Sequence, residues 1–366
     1  MGFTRDFLVA VAENFEFEGD ILDVREYGSG RINDTFLVTL KSGKQERAIL
    51  QRINEKVFAH PEQVVSNMRT VTDHIRERLR HEQGRGWEVP GIFPAKNGKD
   101  YFLDQGNSFW RAMSFINAST YDKIKNIGQA REVGYGLGRF HNLISDLKTD
   151  RLFDTLEGFH VTPRYLHAFD RAVEAKEINE GSSEIRYCLQ FVNTRRKWAS
   201  VLEDAKEQKR LCLRPIHGDP KFDNIMFDEA GLAIGMIDLD TVKPGLVQYD
   251  IGDCLRSCCN SAGEETVDLD AVHFRTDVCR AVLQGYIPVA SSFLDKSDYE
   301  FIYDSARLIA FELGLRFLTD HLAGNKYFKV KKKDDNLLRA LIQFKLTESI
   351  ESRESDIRSI IEDLKT

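Results

Sequence analysis

The sequence has few cysteines and no long apolar run, and each shortage excludes a class of protein. Its 366 residues include 6 cysteines, and none of them stands in the C-x-x-C or Cys/His spacing of a zinc or redox site. We therefore expect free, reduced thiols, with a zinc site as the lesser alternative. No stretch approaches the length needed to cross a bilayer, and the N-terminal segment lacks the features of a signal peptide. These absences predict a cytoplasmic protein with no membrane partner.

Basic residues are outnumbered by acidic ones. Lys and Arg number 51 against 58 Asp and Glu, so the formal net charge at pH 7 is -7. Proteins that bind nucleic acid usually carry a basic excess on at least one face, so we expect no nucleic-acid partner. No obligate protein partner is indicated either. Any anionic ligand would have to be held by a local cluster of side chains.

The first third of the chain has the pattern of short strands and turns. The runs "ILDVREY", "INDTFLVTL" and "RAILQRI", with glycine-bearing turns between them, predict a meander. Apolar residues then recur at intervals of three and four, which predicts a helix over 61–79 that begins at a proline. Two further segments, "GIFPAKNGKDYFLD" and "FWRAMSFI", complete an expected set of five strands and one helix.

The remainder of the chain is mostly helical in its periodicity. Strand-like segments interrupt it only around residues 213–240. The change of pattern predicts a strand-rich lobe over 1–116, a connecting segment over 117–123 and a helical lobe over 124–366. The expected fold class is α+β. Gly134 and Gly138 on a predicted helix indicate a hinge or, as we favour, close packing against another helix.

Charged side chains crowd the loop "PIHGDPKFDNIMFD" at residues 215–228, which lies between apolar segments. A second acidic segment, "MIDLDT", follows shortly after it. If the two strands pair as a hairpin that turns at "DEAG", then Asp219, Asn224 and Asp238 converge. Mg²⁺ prefers oxygen ligands and usually takes only one or two from protein beside a nucleotide. The third group would be free to accept a proton from a hydroxyl nucleophile or to orient it, so the pattern predicts a magnesium nucleotide reaction.

The turn "YGSGRINDTF" places Gly28 and Gly30 between two strands. Backbone N–H groups there can approach phosphate oxygens closely, although such a turn is more often an ordinary hairpin. The phosphate interpretation gains weight from Arg52, because a cation on the strand after next could reach the same phosphates.

The order of these features resembles the aminoglycoside and choline kinase branch of the protein-kinase-like fold. The residues that carry the resemblance are the glycine turn, the basic residue on the third strand, "HGDPKFDN" and "IDLD". The resemblance implies a bilobal fold with a small antiparallel-sheet, nucleotide-binding lobe and a larger, mainly helical lobe. More narrowly, "GSGRINDTF", "ILQRIN", "IDLDTVKPG" and "ELGLRFLTDHLAGNKYF" resemble the N-acetylhexosamine 1-kinases, which phosphorylate the anomeric hydroxyl of GlcNAc and GalNAc.

The resemblance also implies a role for individual residues. It implies a base at Asp219, metal ligands at Asn224 and Asp238, nucleotide contacts at Gly28, Ser29, Gly30 and Arg52, acceptor contacts at Arg31, Asn33, Arg316, Tyr327 and Phe328, and supporting roles for His217, Asp240 and Asp250.

Some of these roles have alternatives. His217 is the rival base because its intrinsic pKa suits the task better. Arg316 is otherwise a surface arginine on an amphipathic core helix. No acid on the predicted small-lobe helix is well placed to pair with Arg52, since Glu62 is too near the helix start and Asp73 is short.

The sequence thus predicts a kinase that uses Mg²⁺ and ATP to phosphorylate a small sugar. Kinases of other small alcohols are the alternatives, and choline or ethanolamine would call for an aromatic cage while an aminoglycoside would call for an acidic pocket. A non-catalytic nucleotide sensor is the alternative from another class. Such a sensor would have no need of the intact Asp219, Asn224 and Asp238.

Overall fold

The computed structural model describes residues 3–28, 32–41, 43, 46–82, 84–121, 123–175 and 182–365. Its N-terminal region is built on one antiparallel sheet with two helices. The elements are α1 (Arg5–Ala12), β1 (Asp20–Glu26), β2 (Asp34–Lys41), β3 (Arg47–Arg52), α2 (Pro61–Leu79), β4 (Ile92–Phe93), β5 (Phe102–Leu103) and β6 (Phe109–Ser114).

The sheet confirms the predicted meander and corrects the predicted number of elements. Its strand order is β1-β2-β3-β6-β4, and β5 also pairs with β6. The described part of this region therefore has six strands and two helices, where the sequence predicted five and one. Strands β4 and β5 are two residues each, too short to show a period of two. Helix α1 has only eight residues and buries Leu8, Val11 and Ala12, so its periodic signal is brief.

The two faces of this sheet pack against different partners, because successive strand residues point to opposite sides. On the outer face, Ala48 and Leu50 of β3 join a cluster with Leu8 and Val11 of α1. On the inner face, Ile49 packs against the large core cluster that includes residues of α2. Helix α2 spans Pro61–Leu79, as predicted.

The C-terminal region is mainly helical, with two short two-stranded sheets. Its elements are α3 (Ile127–Ile144), α4 (Thr162–Ala175), α5 (Ser183–Arg195), α6 (Val201–Glu207), β7 (Arg214–Ile216), β8 (Ile225–Phe227), β9 (Ala233–Met236), β10 (Lys243–Gly245), α7 (Val247–Cys259), α8 (Thr276–Ala290), α9 (Lys296–Glu300), α10 (Ile302–Leu322), α11 (Asp335–Ser352) and α12 (Glu354–Leu364). Strand β7 pairs with β10, and β8 pairs with β9. The α+β class is confirmed.

Helices α3 and α8 approach each other closely at two glycines. A Cβ on Gly134 would lie 1.8 Å from the carbonyl oxygen of Val282, and one on Gly285 would lie 1.9 Å from that of Arg131. No larger residue fits at either position without moving a helix backbone. The close-packing interpretation of Gly134 is therefore confirmed.

Polar contacts connect the sheet region to the helical region. The buried Asn67 of α2 donates from Nδ2 to the carbonyl oxygens of Phe153 and Val242, each at 2.8 Å. Ser119, in the segment predicted to connect the lobes, exchanges backbone hydrogen bonds with Phe227 of β8 at 2.9 and 2.8 Å. All six cysteines are free thiols. Within the described ranges, no helix combines the length and the apolar character that a bilayer crossing requires.

Candidate active site

A buried carboxylate holds the start of the charged loop. Asp250, in the first turn of α7, accepts hydrogen bonds from the backbone N–H groups of His217 at 2.7 Å and Gly218 at 2.9 Å. It also accepts one from Nε2 of His141 at 2.8 Å. Burial alone would raise the pKa of Asp250, but the hydrogen bonds from His141 and the backbone N–H groups act against it, and the net shift is downward. An ionised Asp250 therefore fixes the backbone just before Asp219.

His217 is fully engaged within the protein. Its Nε2 donates to the carbonyl oxygen of Ile237 at 3.0 Å, and its Nδ1 accepts from the backbone N–H of Asp219 at 3.3 Å. Burial lowers the pKa of His217, so the ring is neutral at physiological pH. Because both ring nitrogens are occupied, this geometry disfavours His217 as a base and suits a residue that shapes the loop.

The next residue in the loop has to be glycine. Gly218 has a φ of +86°, and a Cβ there would lie 2.6 Å from the carbonyl oxygen of Thr241. Its own carbonyl oxygen accepts a hydrogen bond from His160 Nε2 at 2.8 Å. Positive φ and the close approach together require a residue without a side chain. The chain thus turns sharply immediately before Asp219.

Asp219 presents a partly exposed carboxylate beside a cation. Nζ of Lys221 lies 3.2 Å from its Oδ2, and the side chain of Asp219 is 30% exposed. Burial raises the pKa of Asp219, but the neighbouring Lys221 cation acts against it and the net shift is downward. Asp219 is therefore ionised at neutral pH. The sequence identified Lys221 as part of this loop but did not predict a role for it.

The predicted hairpin is present and brings the second acidic segment to the loop. Ile225 of β8 pairs with Met236 of β9, and the chain turns at residues 228–231. Asn224 lies just before this pair, and its carbonyl oxygen accepts from the N–H of Ile237 at 3.0 Å. Its Nδ2 donates to the carbonyl oxygen of Asp219 at 2.7 Å, which leaves Oδ1 without a hydrogen bond among the described residues.

Asp238 follows the hairpin in a left-handed conformation, with φ 62° and ψ 52°. Solvent reaches the residue, yet desolvation by the surrounding protein and the negative charges of Asp240 and Asp219 raise its pKa to about 7. Its carboxylate accepts no hydrogen bond from the described part of the chain. A divalent cation would relieve this concentration of negative charge.

The donor set fits magnesium better than a softer metal. Asn224 Oδ1 and the Asp238 carboxylate are hard oxygen donors without protein partners among the described residues. In the same part of the chain, no group of three or more His, Cys, Asp or Glu side chains could hold a metal on its own. Protein would therefore supply two ligands, and phosphates and water would supply the rest.

Asp240 connects this turn to the sheet region. It is 2% exposed and accepts from Asn33 Nδ2 at 2.6 Å and from the guanidinium of Arg111 on β6. Oδ1 of Asn33 accepts from the N–H of Asn54 at 3.0 Å. Asn33, which the sequence predicted at the acceptor, thus has both side-chain polar atoms engaged inside the protein.

Arg52 is not brought to this cluster. It lies on the outer face of the sheet, where Nη2 is 2.6 Å from Oδ2 of Asp34 and the guanidinium carbon is 4.7 Å from the centroid of the Phe3 ring. Asp34 is its cross-strand neighbour, so the acid missing from the small-lobe helix is supplied by β2. On α2, Glu62 lies 3.6 Å from His60 and Asp73 pairs with Arg76. Of the glycine turn, Gly28 has φ +74°, whereas Ser29, Gly30 and Arg31 lie outside the described residues.

Arg316 of α10 stands among aromatic rings. Its guanidinium carbon lies 5.1 Å from the ring centroid of Phe159, 5.2 Å from that of Tyr165 and 5.5 Å from that of Phe328. No described residue forms a hydrogen bond or ion pair with it. Burial lowers the pKa of Arg316, but Tyr165, Tyr327, Glu312 and Asp219 together outweigh burial and raise that pKa, so Arg316 is a cation at neutral pH.

Asp320 holds the two aromatic residues predicted beside Arg316. Its carboxylate accepts from the backbone N–H groups of Tyr327 and Phe328, each at 2.9 Å. The structure thus brings Arg316 and Phe328 together, and Tyr327, which is half exposed, packs against Phe328.

The sequence pattern did not reveal several buried charges around the loop. His160 donates to Glu312 at 3.0 Å as well as to Gly218, and Asp253 accepts from Arg256 Nε at 2.8 Å. Oδ2 of Asp253 has no partner in the described residues. The His160–Glu312 pair joins a loop to α10, so no local periodicity marks it. Asp253 and Arg256 stand three residues apart on α7, and only the fold shows that this pair is buried.

The combination of a sheet-bearing N-terminal region, a helical C-terminal region and this loop defines a kinase-like fold. The chain belongs to the phosphotransferase enzyme family, whose sequence profile matches residues 23–285, more than half of the chain. The resemblance to the aminoglycoside and choline kinase branch is thus confirmed at the level of this family.

Solved structures agree with this fold. The chain is similar to an aminoglycoside phosphotransferase from Alicyclobacillus acidocaldarius, with 13% identity, TM-score 0.62 and coverage of 100% of this chain and 97% of that one. It is similar to a choline kinase from Cryptosporidium parvum, with 13% identity, TM-score 0.61 and 99% coverage of both chains. It is also similar to an amicoumacin kinase in complex with AMP-PNP, Ca²⁺ and Ami, with 15% identity, TM-score 0.56 and coverage of 99% and 94%. At these identities the likeness concerns the fold.

Proposed function

We propose that the protein transfers the γ-phosphoryl group of ATP to the anomeric hydroxyl of an N-acetylhexosamine such as GlcNAc or GalNAc. The observation that carries the choice of acceptor is the Arg316 guanidinium, which lies between aromatic rings and forms no hydrogen bond or ion pair with any described residue. Aromatic rings can pack against the apolar face of a sugar, and a guanidinium offers several N–H donors to its hydroxyl and acetamide oxygens.

The charge of Arg316 favours a neutral acceptor over a cationic one. Choline is bound by aromatic rings through cation–π interactions, and here the rings of Phe159, Tyr165 and Phe328 already surround a cation. A quaternary ammonium, or the ammonium groups of an aminoglycoside, would be repelled by that charge in a partly desolvated pocket. A neutral amino sugar with an acetylated nitrogen avoids the repulsion.

Within this proposal Asp219 orients the acceptor hydroxyl and takes its proton. The hydroxyl oxygen forms a bond to the γ-phosphorus, the bond from phosphorus to the β,γ-bridging oxygen breaks, and ADP leaves. Lys221 keeps Asp219 ionised, and Asp250 holds the preceding backbone so that the carboxylate is already positioned. Asn224 Oδ1 and Asp238 would hold Mg²⁺, which when bound neutralises phosphate charge.

The remaining assignments enter the proposal through the resemblance. Gly28, Ser29 and Gly30 would face the nucleotide and Arg31 the acceptor. The division of the chain into lobes at 1–116 and 124–366, with a connecting segment at 117–123, enters the proposal from the change of sequence pattern along the chain.

A panel of acceptors tests the proposal. Wild-type protein is incubated with Mg–ATP and, in turn, GlcNAc, GalNAc, glucose, choline, ethanolamine and an aminoglycoside, and ADP release is followed. We expect turnover with the two N-acetylhexosamines and little with the cationic compounds. Efficient turnover of choline or an aminoglycoside alone would refute the sugar acceptor while leaving the phosphotransferase intact. Binding of Mg–ATP without turnover of any acceptor would favour the non-catalytic nucleotide sensor.

The position of the new phosphate is tested on the product. The anomeric hydroxyl is more acidic than the other sugar hydroxyls, so its proton is the easiest for a carboxylate base to remove. We expect a 1-phosphate, which has no reducing end and shows phosphorus coupling at the anomeric proton in NMR. A product that still reduces copper and lacks that coupling would refute phosphorylation at the anomeric position.

A further inference from the structure

The inner face of the sheet carries a buried cation that the sequence pattern did not single out. Arg111 of β6 is the cross-strand neighbour of Gln51 on β3. Its Nε and Nη2 donate to Gln51 Oε1 at 3.1 and 2.7 Å, and Nη2 also donates to Asp240 Oδ1. The side chains of Arg111 and Asp240 are only 2% and 3% exposed. A strand of the N-terminal sheet is therefore ion-paired with the turn that carries Asp238.

One of the three nitrogens of this guanidinium has no partner. Nη1 of Arg111 is buried and has no hydrogen-bond partner among the described residues. A buried donor on a charged group is costly to leave unpaired. The arrangement therefore favours a complex in which an acceptor, preferably an anionic oxygen, reaches Nη1. A phosphate oxygen is such an acceptor, and arginine binds phosphate especially well.

Arg111 is better placed than Arg52 to meet a phosphate bound at the proposed metal site. Arg111 is ion-paired with Asp240, which lies two residues after Asp238 in the same turn, so its guanidinium lies close to the proposed metal ligands. Arg52 lies on the opposite face of the sheet, and its charge is already paired with Asp34. A phosphate held near Asn224 and Asp238 would thus meet the free edge of Arg111 and not Arg52.

We propose that Arg111, in place of Arg52, is the arginine that binds the nucleotide phosphates, with Nη1 donating to a non-bridging phosphate oxygen. Gln51 and Asp240 hold the other edge of the guanidinium and so orient Nη1. The inference rests on the proposed function only as far as nucleotide binding, and it is independent of the acceptor.

Calorimetric titrations with Mg–ADP and with adenosine test this inference. The key comparison is between the double variant Arg111→Met with Asp240→Asn and the single variant Asp240→Asn. Both lack the charge of Asp240, and the double variant leaves no buried carboxylate unpaired. We expect the double variant to bind Mg–ADP about 10- to 100-fold more weakly than Asp240→Asn, with adenosine affinity equal within about twofold.

Several outcomes would overturn the inference. Equal Mg–ADP affinity in the two variants would show that Arg111 does not bind phosphate, and an equal loss for adenosine would show a merely structural role. A large loss of Mg–ADP affinity in Arg52→Met, with none in the Arg111 variant, would return the role to Arg52. If circular dichroism shows the double variant to be unfolded, Arg111→Lys replaces it. That variant keeps a cation to pair with Asp240 but loses the second guanidinium nitrogen that would reach the phosphate. Mg–ADP affinity should therefore fall about tenfold while adenosine affinity stays unchanged.

Failure of the proposed function is distinguishable from failure of this inference. A wild-type protein that prefers Mg–ADP to adenosine but phosphorylates no sugar refutes only the acceptor. A wild-type protein that shows no such preference has no phosphate site, which refutes both proposals.

Discussion

The variant Asp250→Asn should still fold but should lose most of its catalytic rate, because this carboxylate holds the catalytic loop from inside the core. Asp250 is fully buried and accepts from His217 N–H and His141 Nε2 at one oxygen and from Gly218 N–H at the other. An amide has only one oxygen. In either orientation of the substituted amide, at least one donor therefore faces its NH₂ group.

The size of the effect follows from these contacts. A lost hydrogen bond to a charged group costs about 1.5–3 kcal/mol, and a buried donor left unpaired costs about 1–3 kcal/mol more. The total of roughly 2.5–6 kcal/mol is less than the stability of many domains, so we expect the variant to fold with a lower melting temperature. If the same energy is lost from the positioning of Asp219, kcat should fall roughly 10²–10⁴-fold.

A matched control separates the two effects. Asp298 is equally buried and accepts from Arg214 at 2.7 Å and Gln248 at 2.9 Å, but it forms no hydrogen bond with the loop. The variant Asp298→Asn should also melt earlier while kcat stays within about threefold of wild type. Melting is followed by circular dichroism and kcat by ADP release with GlcNAc and Mg–ATP. A wild-type kcat for Asp250→Asn, or an equal loss of kcat in both variants, would refute the positioning argument.

Four further predictions concern the proposed chemistry and the charges around it. Asp219→Asn should lower kcat about 10²–10⁴-fold while Mg–ATP affinity in calorimetry changes only a few fold, because the carboxylate acts on the acceptor hydroxyl; near-normal turnover would contradict its role as base. Asp238→Ala should weaken Mg–ATP binding and transfer together, and unchanged affinity with normal activity would exclude it as a metal ligand. Arg316→Ala should raise the KM for the sugar about tenfold or more with the KM for ATP nearly constant, whereas equal effects on both substrates would indicate a folding defect. Burial alone would lower the pKa of His160, but Glu312 outweighs burial and raises that pKa above the ordinary 6.5. The ion pair between His160 and Glu312 therefore stabilises the folded protein fully below about pH 6.5, and this stabilisation is lost as the pH rises through the raised pKa. The difference in free energy of unfolding between wild type and His160→Gln, measured by urea denaturation at pH 6 and pH 9, should accordingly shrink at the higher pH, and a difference that grows would contradict the ion pair.

Local patterns in the sequence were sufficient for much of the fold and for the centre of the site. Helix α2 has the predicted bounds because a proline begins it and its apolar residues recur with helical spacing. The hairpin of β8 and β9 was predictable because a short polar turn joins two apolar runs, and this pairing alone brings residues 219–224 towards Asp238. The tertiary contacts that hold each strand were not needed for either inference.

Only the tertiary structure decided which charges meet. A period of two shows that neighbouring strand residues face opposite sides of the sheet, but it does not show which side faces the catalytic loop. The sequence therefore could not decide whether Arg52 or Gln51 lies on the face turned towards that loop. The pairing of Arg111 with Asp240 joins residues 129 positions apart, and that of His160 with Glu312 joins residues 152 apart. Such pairs form because packing removes both charged groups from water, so that each is stabilised by the opposite charge of the other. This condition exists only once the chain has folded.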